Sequence, residues 1–215
     1  MHRGPLTARP EISTAPLPGP RPVEGDAARA RIARAAAEVL SAQGVSAFKV
    51  SQVAAAAGVS TSLLYYHCPS RAAVAALGLE YVTNLAPSFA FLAPERGRKG
   101  HELARVTLLS EVEDTPVNRA LNLIWNECAV LSAEDDELAA VHERFRHRWY
   151  QGLLQGVAVG IEDGSMLAAS PHGLASLLLA YEEGLSLRWL GGTLEVDQAR
   201  MVLEGGLSTV RAARR

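Results

Sequence analysis

The sequence predicts an all-α protein, with a small three-helix unit at the front and a larger helical body behind it. Three observations carry that expectation. Apolar residues recur at helical spacing through most of the chain. Alanine, leucine and arginine dominate, and runs of β-branched residues are short. Glycine and proline fall at intervals that divide the chain into helix-length pieces.

The front unit reads as three helices and the start of a fourth. Asp26 is an N-cap type, and Ile32, Ala35, Ala36, Val39 and Leu40 then share one helix face, with Arg29, Arg31, Arg34 and Glu38 on the other. Gly44 suits a left-handed C-cap. A short helix follows from Val50 to Ala57, with Val50, Val53, Ala54 and Ala57 on one face and Gly58 closing it. Ser60 caps a third helix running to about Tyr66, which Pro69 ends. Ser70 caps the fourth, whose apolar positions are Val74, Leu77, Tyr81 and Leu85.

Five longer helices are expected in the body. Pro94 and Gly97 break the chain before a helix over His101–Glu113, and Pro116 opens another reaching Leu131. Asp135 starts the longest, with Leu138, Val141, Phe145, Trp149 and Leu153 as its stripe and Gly160–Gly164 as its interruption. Ser170-Pro171 opens a helix carrying Leu174, Leu178, Tyr181, Leu185 and Trp189. After Gly191-Gly192, a last helix spans about Glu195 to Arg211, and Arg211, Arg214 and Arg215 give its end the sign that a helix C-terminus favours.

Composition narrows the class. Hydrophobic residues at 48% and charged residues at 20% describe a globular chain of 215 residues, long enough for a sizeable core. No apolar run approaches the ~18 residues of a membrane span, and the start lacks a signal-peptide layout, so a cytoplasmic protein without membrane contact is expected. Residues 1–25 are Pro-rich and read as a flexible tail. Cys68 and Cys128 stand alone, against a disulfide framework or a structural zinc site. Eight Lys/Arg oppose five Asp/Glu up to residue 85, and thirteen oppose eighteen beyond it, a basic front suited to a polyanion.

Function concentrates in residues 50–66. Two short helices joined at Gly58 form a unit of the kind that lays its second helix in the DNA major groove. The apolar face of the first helix, with Val59 and Leu64, can pack inward and leave Thr61, Ser62, Tyr65 and Tyr66 outward. Hydroxyls of Ser60, Thr61, Ser62 and the tyrosines suit phosphate oxygens, and Thr or Tyr also suits a thymine methyl. Lys49 and Arg71 flank the unit and are expected over the DNA backbone, with His67 at the end of the reading helix.

The stretch VAAAAGVSTSLLYYHCPSR, Val53 to Arg71, resembles the N-terminal core of TetR-family transcriptional regulators, and the resemblance extends from Arg29 to Leu85. Three positions depart from the family pattern: Cys68 where phenylalanine is usual, Lys49 where threonine is common, and Arg71 in place of lysine. The resemblance implies a helix-turn-helix DNA-binding domain over 26–72 and a ligand-binding and dimerisation domain over 73–215. It further implies a homodimer on a palindromic double-stranded operator, most simply a repressor that a small molecule releases. A transcriptional activator with the same DNA unit is the alternative that sequence does not separate. A helical interaction adaptor without DNA binding is disfavoured by the polar groups of the third helix.

In the body, LASLLLAYEEGLSLRWLGG resembles the penultimate helix of a subgroup that includes choline-responsive regulators, a likeness on which no ligand is assigned. Aromatic and soft residues offer a cavity lining: Tyr81, Phe89, Trp125, Cys128, Phe145, Trp149 and Tyr181, with Glu127 and His147 as polar additions. This set points to a mainly apolar or aromatic effector. Glu143 and His147 are four apart and suit a surface pair, while His142 and His147 do not share a face well enough for a metal. No nucleophile–base constellation or phosphate loop is present in the sequence, so no enzymatic activity, catalytic residue, metal or cofactor is expected.

Overall fold

The computed structural model describes Leu17, residues 27–86 and residues 99–211. Asp26, Phe89, Pro94, Gly97, Arg214 and Arg215, named above for caps, breaks, helix-end charge or cavity lining, lie outside the described residues. Among the described residues nine helices follow in order: α1 (Ala27–Gln43), α2 (Val50–Ala57), α3 (Thr61–His67), α4 (Arg71–Leu85), α5 (Gly100–Glu111), α6 (Pro116–Leu131), α7 (Asp136–Glu162), α8 (Pro171–Leu190) and α9 (Val196–Thr209). Apart from them, Met166 and Arg211 form one isolated antiparallel bridge. The fold is all-α.

The caps that the sequence marks are made. Ser60, Ser70, Thr115, Asp135 and Ser170 each accept a backbone N–H from the first turn of their helix. Gly58 turns left-handed at φ 63° and ψ 40° and closes α2 sharply enough for α3 to start three residues later. Lys49 cannot cap α2 with its own side chain. The Gln52 side chain instead accepts the Lys49 N–H at 2.9 Å, which satisfies one of the exposed donors at this end.

Helix α4 packs along α1 and also reaches α6 and α7, so it belongs to the front unit and the body together. Ile32, Ala36, Leu40, Val53, Leu64 and Val74 form the buried centre of the front. Cys68 fills the place of the family's aromatic and is 3% exposed. In the body α7 packs on α5, α6 and α8, and α9 packs on α8 and α5. Leu17 is 5% exposed and joins this core, and the rest of the expected tail lies outside the described residues.

Two expected boundaries move, for packing reasons. Gly160 does not interrupt α7, which runs on to Glu162. It is a crossing point instead: a Cβ there would sit 2.6 Å from Met166 Sδ and 3.1 Å from the His101 amide. A Cβ on Gly100 would overlap the backbone of Gly160 and the Gly156 carbonyl, so α5 and α7 meet backbone to backbone. The last helix ends at Thr209 rather than Arg211, because the chain turns to bridge Met166 and to give the Val210 carbonyl to the Leu167 N–H at 2.8 Å.

Candidate nucleic-acid interface and acidic cavity

Leu64 is the inward anchor of α3 and is fully buried. With that face fixed, the helical period turns Thr61, Ser62, Tyr65 and Tyr66 to solvent, and Tyr66 is 82% exposed. Lys49 and Ser60 are exposed beside them, and His67 is half-buried with its ring edge-on to Tyr66 at 5.2 Å. The structure therefore collects Lys49, Ser60, Thr61, Ser62, Tyr65, Tyr66 and His67 on one outer end of the molecule. Ser60 Oγ accepts from the Leu63 N–H at 3.1 Å, which leaves its hydroxyl hydrogen to donate outward.

Arg71 is turned to another task. Its Nη2 donates to the Val45 carbonyl at 2.7 Å and the Ser46 carbonyl at 2.8 Å, and its guanidinium lies 4.4 Å over the Phe48 ring. Arg71, itself exposed, thus holds the α1–α2 loop. The same loop is held from the other side by Glu127 of α6, whose Oε2 accepts from Val45 N at 2.5 Å and Ser46 N at 3.2 Å. Gly44 (φ 84°) makes room for that carboxylate, since a Cβ there would stand 2.7 Å from Glu127 Oε1. Glu127 accordingly joins α6 to this loop and is not among the residues lining the cavity described next. Spacing alone does not reveal it, because its partners lie about eighty residues upstream.

In the body a small cavity is enclosed by Glu111, Leu121, Asn122, Trp125, Trp149, Leu179, Glu182, Glu183 and Ser186, with about 20 Å³ of free space. That is room for about one water molecule. Of the seven lining residues expected, Trp125 and Trp149 are brought together here. Cys128 and Phe145 are packed in the core, and Tyr81 is buried with α1 and Arg34 and Glu38 beside it. Tyr181 faces α9, donating to the Val202 carbonyl at 2.9 Å with its ring against Gly206. Phe89 lies outside the described residues. His147 is exposed, and Glu143 pairs with Arg146 at 2.7 Å rather than with His147.

The three carboxyl groups were not foreseen as a set, and they change the chemistry of the cavity. Glu111 and Glu182 are each 5% exposed. Trp149 Nε1 donates to Glu111 Oε1 at 2.9 Å, and Glu182 Oε1 has no hydrogen-bond partner. Burial, with the nearby Glu111 and Glu183 carboxylates, pushes the Glu182 acid well above the usual carboxylate range. Burial also raises Glu183, although Trp125 and Arg146 partly offset this. Glu182-Glu183 sits inside the stretch AYEEGL and was legible as acidic, but the approach of Glu111 from α5 is a tertiary fact. The cavity thus sets an aromatic pair beside three carboxyl groups.

Both thiols are shielded. Burial raises the Cys68 thiol and, with Glu127 nearby, pushes Cys128 up to about 12. Among the described residues there is no cluster of three His, Cys, Asp or Glu side chains arranged for a metal ion, and no helix long and apolar enough to cross a membrane.

The chain was compared with known proteins. Residues 32–76 match the family model described as bacterial regulatory proteins, tetR family, and residues 100–212 match that of the BetI-type transcriptional repressor, C-terminal. Among solved structures, a TetR-family regulator from a Rhodococcus species is 27% identical with a TM-score of 0.76, covering 86% of this chain and 98% of its own. A transcriptional regulator from Saccharomonospora viridis in complex with choline is 21% identical with a TM-score of 0.76, covering 87% and 98%. A TetR regulator from Haloarcula marismortui is 16% identical with a TM-score of 0.72, covering 86% and 98%. The curated proteins contain no match.

Proposed function

Since the chain belongs to the TetR family of transcriptional regulators, we propose that it is a homodimeric repressor that a small organic cation releases from a palindromic operator. Helix α3 enters the major groove, with Thr61, Ser62, Tyr65 and Tyr66 toward base edges and Lys49, Ser60 and His67 toward phosphates. The effector occupies the cavity between Trp125, Trp149 and the three glutamates. The choline bound by the Saccharomonospora viridis neighbour is a cation, the charge that this lining suits.

The observation that carries the reading is the double duty of α6. Leu121, Asn122 and Trp125 line the cavity, and Glu127, two residues further on, grips the α1–α2 loop of the DNA unit. With only about 20 Å³ free, a cation larger than water must spread the lining helices. A displacement of α6 is then delivered to the front unit through Glu127.

The dimer is supported by an uncovered face. Leu177, Leu187, Met201 and Val202 are 63%, 56%, 72% and 40% exposed on α8 and α9. Gly184 and Gly205 lie on the same faces, and a Cβ on either would touch nothing within 4 Å. Mid-helix glycines with open space beside them cost roughly 0.5–1 kcal/mol each relative to alanine, which close helix approach in a four-helix interface would offset.

Selection from a randomised duplex library tests the operator: a palindrome with half-sites about 34 Å apart is expected. Fluorescence anisotropy on that duplex then tests release, with choline raising Kd about 100-fold, equivalent to about 2.7 kcal/mol of coupling. Absence of binding to any duplex at low salt would overturn the DNA reading. Operator affinity indifferent to choline and to tetramethylammonium would overturn the effector reading.

A further inference from the structure

The lining of the cavity contains carboxyl groups but neither lysine nor arginine. From α5 it receives Glu111, already hydrogen-bonded to Trp149, and from α6 it receives Leu121, Asn122 and Trp125. Arg119 of α6 is bound to Asp114. On α7, Arg146 is held by Glu143 through both nitrogens at 2.7 Å, and His142 is a buried ring 4.5 Å from Trp125 whose Nε2 has no partner. Burial and Arg146 hold that imidazole below its ordinary pKa, so it contributes no positive charge at neutral pH. Arg200 of α9 is spent on the Leu109 and Val112 carbonyls and on Glu113.

Glu182 is the consequence of this arrangement. Its carboxyl group is buried, it lines the cavity, its Oε1 is unpartnered, and another buried carboxylate stands across from it. Two carboxylates buried in so small a space cannot both ionise without a counter-charge, because stripping water from an unpaired charge is costly. Glu182 therefore holds its proton while the cavity contains no cation. A quaternary ammonium removes the reason for holding it: its charge supplies the missing counter-ion, and it has no N–H with which to satisfy an acid otherwise.

We propose that an organic cation is taken up in exchange for the Glu182 proton. The carboxylic O–H bond breaks, the proton leaves to solvent, and the carboxylate faces the cation between Trp125 and Trp149, with charge conserved within the cavity. This rests on the cavity being the effector site. The exchange makes the regulator's sensitivity to its effector depend on pH, effector binding weakening as the medium acidifies.

Calorimetric titration of the full chain with tetramethylammonium chloride tests it, in phosphate and in Tris at one pH, since this probe has no proton of its own. The difference in apparent heat between buffers gives the proton count. About one proton released per cation bound is expected, with affinity rising about tenfold per pH unit while the free protein holds the proton. Glu182→Gln should bind more weakly, release no proton and lose the pH dependence, with an unchanged helical circular dichroism spectrum as the check on folding. His142→Gln should release the proton as the parent does. Binding without proton release, or release that persists in Glu182→Gln, overturns the exchange and leaves the cavity as a cation site. No binding of tetramethylammonium or choline between pH 6 and 9 overturns the cavity reading, and the exchange with it.

Discussion

Tyr66 lies within the recognition unit and Arg71 flanks it, and the two represent different kinds of residue. Tyr66 is 82% exposed, so Tyr66→Ala should leave thermal stability within about 0.5 kcal/mol of the parent and still weaken operator binding about tenfold or more. Equal operator affinity would mean that α3 is presented on a different face. Arg71, by sequence a phosphate contact, is held by the Val45 and Ser46 carbonyls and the Phe48 ring. Its loss should therefore appear in a melting curve, at about 1–2 kcal/mol, and not only in the salt dependence of DNA binding. Glu182 adds a sign that can be checked. Its folded-state acid lies above the unfolded value, so between those two values the folded chain binds the extra proton and stability falls as pH rises. Glu182→Gln should accordingly raise Tm at pH 8 and flatten that slope. A lower Tm for the variant at pH 8 would contradict a neutral acid.

At the scale of elements, helix starts are legible because single residues make them: Ser60, Ser70, Asp135 and Ser170 cap as their chemistry requires, while Thr115 caps the helix that Pro116 announces. The exposed set of α3 followed from one anchor, Leu64, and the helical period. What could not be read were encounters between distant elements. Gly160 looks like a breaker in sequence and is a crossing glycine in space. Glu127 looked like a cavity residue and is bound to loop amides at the far end of the same helix. Trp125 and Trp149 meet, whereas Tyr181 at similar spacing faces α9, because which face of a helix is covered depends on the neighbours that sequence does not order. The Glu127 joint carries its own expectation. Glu127→Gln retains the shape but weakens two charge-assisted bonds, and should cost about 1–2 kcal/mol. It should also shrink the choline response of operator binding while choline affinity, read by calorimetry, changes less. An unchanged response would remove α6 as the route between cavity and DNA unit.

For the whole molecule, the uncovered face of α8 and α9 is the proposed dimer contact, and DNA binding is expected to depend on it. Leu187→Glu or Met201→Glu adds a charge to the proposed interface without touching the core, since both residues are more than half exposed. Sedimentation should then show a monomer, and the operator affinity should drop because the two half-sites are no longer engaged together. A stable dimer in both variants would place the interface elsewhere. Such a readout also distinguishes the DNA unit from the dimer contact, as Tyr66→Ala should leave sedimentation unchanged.

The contact of Gly100 with Gly160 has a mechanical consequence. Where these glycines cross, no side chain stands between the helices to compress or re-rotate, so the spacing of α5 and α7 is set by backbone there. Further along, the same two helices reach the cavity through Glu111 and Trp149, opposite the side chains of α6 and α8. On the proposed mechanism a bound molecule would push against a helix pair whose separation is pinned at one end.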